Sequence, residues 1–399
     1  MTVSLPAGAR PGPSYRATVA ALALGQILNW AALYYAFSSF VLPMQATLGW
    51  GKPVLMGAYT LGLAVWGAAT YAVGAAIDAG RGRQVMSIGS VLAGLGMLGW
   101  SQVSAPWMLY AVWAVLGAAM AATLYEPAFA VLTKRYPERY QQGITTLTLV
   151  GGFASTLSFP AIAALLRAGL DWRQSLQVIG VLLLAVAPLH AWALRGPALV
   201  AGPQAPDRQA DATLHQALRR PSFWLLTLTF TLYAFVQAAL WAHVMPVFAS
   251  KPISADDTLL VLMSVGPAQV AGRLLYVALG RAWHLRVVGA LVLAGLPLAM
   301  TLLALGQTLA VLLVFAGLFG ISNGLVTIVR GGMVPMYFGR AHVGRIGGLM
   351  SGIGLLSRAT APIAATALLL VLPGYRELLL VLAALGVAAV IAFWRVGRP

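Results

Sequence analysis

The chain has no cysteine and little charge, with nine acidic and 25 basic side chains among 399 residues. The missing thiols exclude disulfides and thiolate metal sites, and leave no sign of the redox compartment. A soluble globular domain carries about 25% charged residues, whereas here the share is 9%, against 60% hydrophobic. No single soluble core hides that apolar surplus, and a bilayer is the solvent that suits it.

Catalytic and nucleotide signatures are absent too. The five histidines, His190, His215, His243, His284 and His342, make no HExxH pair. The nearest approach to a phosphate loop, Gly49-Trp50-Gly51-Lys52, runs straight into Pro53. No cofactor and no metal are expected, and an ATP-driven pump would need a separate nucleotide-binding subunit.

What is present is a succession of long apolar runs, of which each bilayer crossing takes roughly 20 residues. Residues 1–16 are polar and rich in Pro and Gly. The run after them is too long for a signal-peptide core, so it reads as a retained first span. Breaks at polar or Pro/Gly clusters predict helices at 17–43, 54–76, 85–103, 106–131, 143–167 and 175–195. A second set follows at 222–248, 258–280, 285–305, 308–331, 343–370 and 376–394. The expected fold is an all-α membrane protein of twelve transmembrane helices in two six-helix halves. Its parts are a tail (1–16), a first bundle (17–195), a linker (196–220), a second bundle (221–394) and a short tail (395–399). Two such halves suggest duplication, although the internal echo between 74–83 and 272–286 is faint.

The 25 Lys and Arg orient the chain. With the N-terminus cytoplasmic, Lys52, Arg167, Arg173, Lys251 and Arg376 fall in outside loops, and Arg273, Arg330 and Arg358 fall within spans. The other seventeen lie inside, among them Arg10, Arg208, Arg281 and Arg398. This asymmetry predicts cytoplasmic termini. It also makes the net charge of +16 a topology signal, which argues against a nucleic-acid partner. The partners expected are the lipid bilayer and a small solute, for a monomer in the inner (plasma) membrane of a bacterium.

The turn after the second span, Gly74-Ala75-Ala76-Ile77-Asp78-Ala79-Gly80-Arg81-Gly82-Arg83, places one acid and two arginines at the cytoplasmic mouth of paired helices. An acid there can face the positive N-terminal end of another helix, and the arginines can pair with acids or lipid phosphates. Such contacts would lock one conformation and break in the other. The segment resembles the GxxxDxxGR[RK] signature of the major facilitator superfamily, with Ala79 in place of a basic residue and the order Arg81-Gly82-Arg83. The resemblance implies that family's fold, with Gly74, Asp78, Arg81 and Arg83 as a conformational gate.

A charge inside a span costs about 2.5–3.5 kcal/mol on insertion scales and is a functional candidate. Arg358 falls near mid-bilayer in the eleventh span, and Arg273 slightly past the middle of the eighth. That half's spans hold no carboxylate at similar depth to match them. An anionic substrate would supply one, since guanidinium forks fit carboxylates bidentately; otherwise each arginine caps backbone carbonyls or snorkels. The segments Arg220-Pro221-Ser222-Phe223-Trp224, His243-Val244-Met245-Pro246 and Gly266-Pro267-Ala268-Gln269-Val270-Ala271-Gly272-Arg273 resemble oxalate/formate antiporter-like and monocarboxylate-transporter-like facilitators. That resemblance implies that Arg273 binds the substrate carboxylate and that Arg358 stands where oxalate transporters carry a second cation. Gln269 occupies the place of an acid in the monocarboxylate group.

Glu126, toward the end of the fourth span, has two readings: a proton carrier, because burial raises a carboxyl pKa, or a partner of Arg81 or Arg83 in the gate. His243, toward the outer side of the seventh span, is the other candidate for proton coupling, because histidine as a residue type ordinarily changes charge near neutral pH. Gln26, Asn29 and Tyr34 in the first span and Gln237 in the seventh could line a cavity, or hydrogen-bond between helices without touching substrate. Arg330 reads as a snorkelling charge, and Asp171 with Arg173 as an interfacial ion pair. The function expected is alternating-access transport of a small organic anion, a mono- or dicarboxylate, by proton symport or anion exchange. Export of a drug or another solute is the alternative within transport, although the fifth span lacks a Gly-Pro-Gly-Gly segment. A membrane-embedded enzyme is the alternative outside it, and no nucleophile–base–acid set supports that.

Overall fold

The computed structural model describes residues 12–196, 211–278 and 283–397. The tail through residue 11, most of the linker (197–210), and Arg10, Arg208, Arg281 and Arg398 lie outside the described residues. Within them the chain is helical: α1 (Tyr15–Asn29), α2 (Ala36–Leu48), α3 (Lys52–Ala76), α4 (Gly82–Trp100), α5 (Pro106–Thr123), α6 (Tyr125–Arg135), α7 (Tyr140–Gly151), α8 (Ala154–Arg167), α9 (Trp172–Ala193), α10 (Leu214–Leu218), α11 (Pro221–Ala249), α12 (Ala255–Ala278), α13 (Leu285–Leu305), α14 (Leu309–Phe338), α15 (Val343–Leu369) and α16 (Tyr375–Arg395).

Local chemistry sets the helix starts. Pro53, Pro106 and Pro221 stand in the first turn of α3, α5 and α11, where a missing N–H costs nothing. Asp171 with Gln174 and Thr213 with Gln216 form reciprocal capping boxes on α9 and α10. Ten helical stretches are long and apolar enough to cross a bilayer. One of them, Pro53–Trp100, contains both α3 and α4, which meet at Gly80. Another crossing is divided into α7 and α8. Counting these gives the twelve expected. Large apolar side chains such as Ile363 (75% exposed) and Leu298 (58%) point away from the core, as lipid-facing residues must.

The chain falls into two compact units: residues 1–211 with 339–349, and residues 212–338 with 350–399. Each packs its own helices in the same plan. In the first, α3 pairs with α5, α4 with α5, α4 with α9 and α1 with α9. In the second, α12 pairs with α14, α13 with α14, α13 with α16 and α11 with α16. Counted by crossings, these are the same four pairings repeated six spans later, a duplication visible in packing where sequence identity is faint.

Candidate functional site

In the first unit, Asp78 sits on a π-helical turn, Ile77–Arg81, at the end of α3. Its side chain is 2% exposed. Oδ1 accepts from Lys134 Nζ at 3.3 Å and from the Gly344 N–H at 3.0 Å, and Oδ2 accepts from the Arg345 N–H at 2.8 Å. Gly344 and Arg345 open α15, so the carboxylate caps the positive end of a helix far away in sequence. Lys134 also donates to the Asp78 carbonyl at 3.0 Å and the Ala341 carbonyl at 2.7 Å, which uses all three ammonium hydrogens.

Glycines permit this approach. A methyl group on Gly74 would collide with the Gly344 carbonyl, and one on Gly348 would lie 2.5 Å from the Thr70 carbonyl oxygen. Gly80, at φ +82°, turns the chain through the left-handed region. Arg81 and Arg83 are exposed, and neither makes an ion pair with Asp78 or Glu126. The cation that pairs with Asp78 is Lys134, which lies 56 residues away in sequence.

In the second unit, Arg273 bonds α14 directly, and Arg358 is linked to α14 through Gln237 of α11. Arg273 is 5% exposed, and its Nε donates to the Gly324 carbonyl at 3.0 Å. Arg358 Nη2 donates to Gln237 Oε1 at 2.7 Å, and Gln237 Nε2 donates on to Asn323 Oδ1. Small residues set the depth of Arg273. A methyl group on Gly324 would lie 2.5 Å from the Gln269 carbonyl oxygen, and one on Gly320 would lie 2.6 Å from the Val265 carbonyl oxygen. Backbones of α12 and α14 therefore touch here. Gln269, one turn before Arg273, is half-buried.

The first and fourth spans are both interrupted at mid-length. Asn29 precedes a π-helical turn, Trp30–Tyr35, whose Ala31 carbonyl accepts from Ser158 Oγ at 2.7 Å; π-bulges of this kind are frequent at functional sites. Asn29 is fully buried, and neither of its side-chain polar atoms has a hydrogen-bond partner among the described residues. Tyr34 packs edge-on against Trp30 at 5.3 Å and Trp66 at 6.4 Å. In the fourth span, Pro127 has no N–H for the Thr123 carbonyl, and the helix breaks at Leu124. Gln26 Nε2 fills that place, donating to Thr123 O at 2.7 Å and Leu124 O at 3.3 Å. What Gln26 has left for a solute is its buried Oε1. Glu126 stands in the first turn of α6, just after the break.

The family model described as Major Facilitator Superfamily matches residues 22–281. The chain belongs to the major facilitator superfamily. This makes it a multi-pass membrane protein and a secondary transporter. Monocarboxylate transporter 11 of Mus musculus is 27% identical over 307 residues, covering 74% of this chain and 67% of that protein. Two solved structures share the fold at low identity. The human organic anion transporter MFSD10 (TETRAN) is 16% identical with a TM-score of 0.72, covering 96% of this chain and 100% of that one. The E. coli fucose:proton symporter FucP is 13% identical with a TM-score of 0.73, covering 97% and 100%.

Other polar residues of this facilitator lie outside these clusters. His190 is fully buried, its Nδ1 2.9 Å from Ser90 Oγ and 3.3 Å from the Met86 carbonyl. Ser90 donates to that same carbonyl, so we assign the ring proton to Nδ1. Asp171 and Arg173 do not pair with each other, contrary to expectation. Asp171 is committed to its capping box, and Arg173 donates to the Ser101 carbonyl at 2.6 Å and the Val103 carbonyl at 2.9 Å. Because α14 runs on to Phe338, Arg330 lies about two turns inside its helix end. His243 Nε2 is 3.4 Å from both the Pro362 carbonyl and Thr366 Oγ1.

Proposed function

We propose that this transporter moves a small organic anion, a mono- or dicarboxylate, gripped by Arg273 and Arg358. The observation that carries the reading is that both are tied to adjacent residues of α14: Arg273 bonds Gly324 directly, and Arg358 reaches Asn323 through Gln237. Acids of this half stand at helix starts, with Asp256 and Asp257 opening α12 and Glu377 opening α16. A substrate carboxylate would offset the cost of charge at mid-span and match the guanidinium forks. Occupancy would then favour the conformation that encloses the anion. The mouse relative's designation as a monocarboxylate transporter agrees with this class.

Asp78 is the gate in this reading, held by Lys134 and the α15 N-terminus in one state and released in the other. Glu126 and His243 are the proton-coupling candidates, and exchange against another anion is the form that needs neither. Asn29, Tyr34 and Gln269 are substrate contacts in the same proposal. In the same proposal both termini are cytoplasmic, which the Lys/Arg asymmetry supports, and the membrane is the inner membrane of a bacterium.

The test is uptake of labelled carboxylates by proteoliposomes. We expect saturable uptake that simple carboxylates compete for, and that Arg273→Ala and Arg358→Ala each abolish while remaining folded. Near-normal uptake by both variants would sink the assignment. Uptake that ignores an imposed pH gradient but responds to internal anion would identify exchange.

A further inference from the structure

A cleft of about 680 Å³ opens in the first unit. Four basic residues line it, Arg81, Arg83, Lys134 and Arg135, and among the described residues no acid does. Lys134 is matched by Asp78. Arg135 donates to the Leu194, Arg195 and Gly196 carbonyls, which satisfies hydrogens without cancelling its charge. Arg81 and Arg83 have no hydrogen-bond or ion-pair partner among the described residues, and both are exposed. Among the described residues, three guanidinium charges therefore share one cleft without a counter-charge.

The start of α4 adds to the same field. No side chain caps this helix, and its first-turn residues Gly82, Arg83 and Gln84 all line the cleft. An uncapped N-terminus contributes the positive end of the helix dipole and N–H groups suited to an anion. Guanidinium pairs match phosphate oxygens bidentately, and a cleft of this volume is within the usual range for a small-molecule site. Its wall is apolar on one side. Ile88, 59% exposed, lines the cleft, and exposed Val91 and Leu95 continue from it along the same face of α4.

We propose that this cleft binds a phosphate-bearing anion, held by Arg81 and Arg83 at the N-terminus of α4. The apolar stripe beyond it favours the headgroup of an anionic phospholipid, whose acyl chain would follow Ile88, Val91 and Leu95. A soluble phosphate compound is the other source of the same chemistry. The proposal stands independently of the carboxylate reading.

Native mass spectrometry and thermal unfolding of the purified protein test it. The probes are phosphatidylglycerol, phosphatidylcholine as the zwitterionic control, and millimolar inorganic phosphate against chloride. We expect phosphatidylglycerol to be retained and to raise the wild-type midpoint. Retention should fall on the order of tenfold in the double variant Arg81→Gln/Arg83→Gln. Arg81→Lys/Arg83→Lys keeps the charge and should keep much of the binding, which guards against a misfolded Gln variant. If inorganic phosphate alone shows this pattern, the phosphate site stands and its source is soluble. Equal responses of the wild type and the Gln variant to both phosphate probes, or no response to either, overturn the proposal.

Discussion

Asp78 and Arg358 are both charges carried by membrane helices, and the protein surrounds them in opposite ways. Asp78 receives a lysine and two backbone N–H groups, which leaves its charge matched inside the fold. Arg358 receives a neutral amide, Gln237, itself held by Asn323. In the proposed reading the difference separates two uses of a charge carried within a span. One filled from within holds a conformation, and its cost is already offset. One held in place by neutral groups keeps its electrostatic potential for a ligand, because amides orient a guanidinium without cancelling it.

The largest effects should come from the arginines. Arg358→Gln and Arg273→Gln should each lower carboxylate uptake about 100-fold or more, as expected when a charged hydrogen-bonded contact worth about 3 kcal/mol is lost. Melting curves near wild type would show that the loss is one of binding. Asp78→Asn should behave differently, by lowering stability about 3 kcal/mol because it strands Lys134. Adding Lys134→Met should then cost less than its single-variant effect, and full additivity in that cycle would break the lock. Gln237→Leu leaves both arginines but frees one of them, so KM should rise about tenfold with little change in melting. The smallest change is predicted for Gln26→Leu. It should cost about 1–3 kcal/mol of stability through the unpaired Thr123 carbonyl, and a dominant rise in KM would move Gln26 to the substrate site instead.

Long-range partners were the part that sequence could not disclose. The spans were legible because lipid demands unbroken apolar runs, and the glycine-acid turn was legible because its residues are consecutive. In the sequence Lys134 is one inside charge among many, and Asn323 is a single amide within the tenth span. Their roles depend on contacts 56 and 86 residues apart. The break at Leu124 was foreshadowed by Pro127, but nothing local shows that Gln26 supplies the missing donor 97 residues away. Likewise, Arg173 looked paired with its neighbour because adjacency is all that a sequence displays, whereas two loop carbonyls offered a better fit.

Titration calorimetry of the purified protein with a panel of small mono- and dicarboxylates tests the central claim most directly. The account predicts saturable binding of at least one of them by the wild type, and its loss in Arg358→Gln and in Arg273→Gln at unchanged melting temperature. Binding of equal affinity in the wild type and both variants would contradict it.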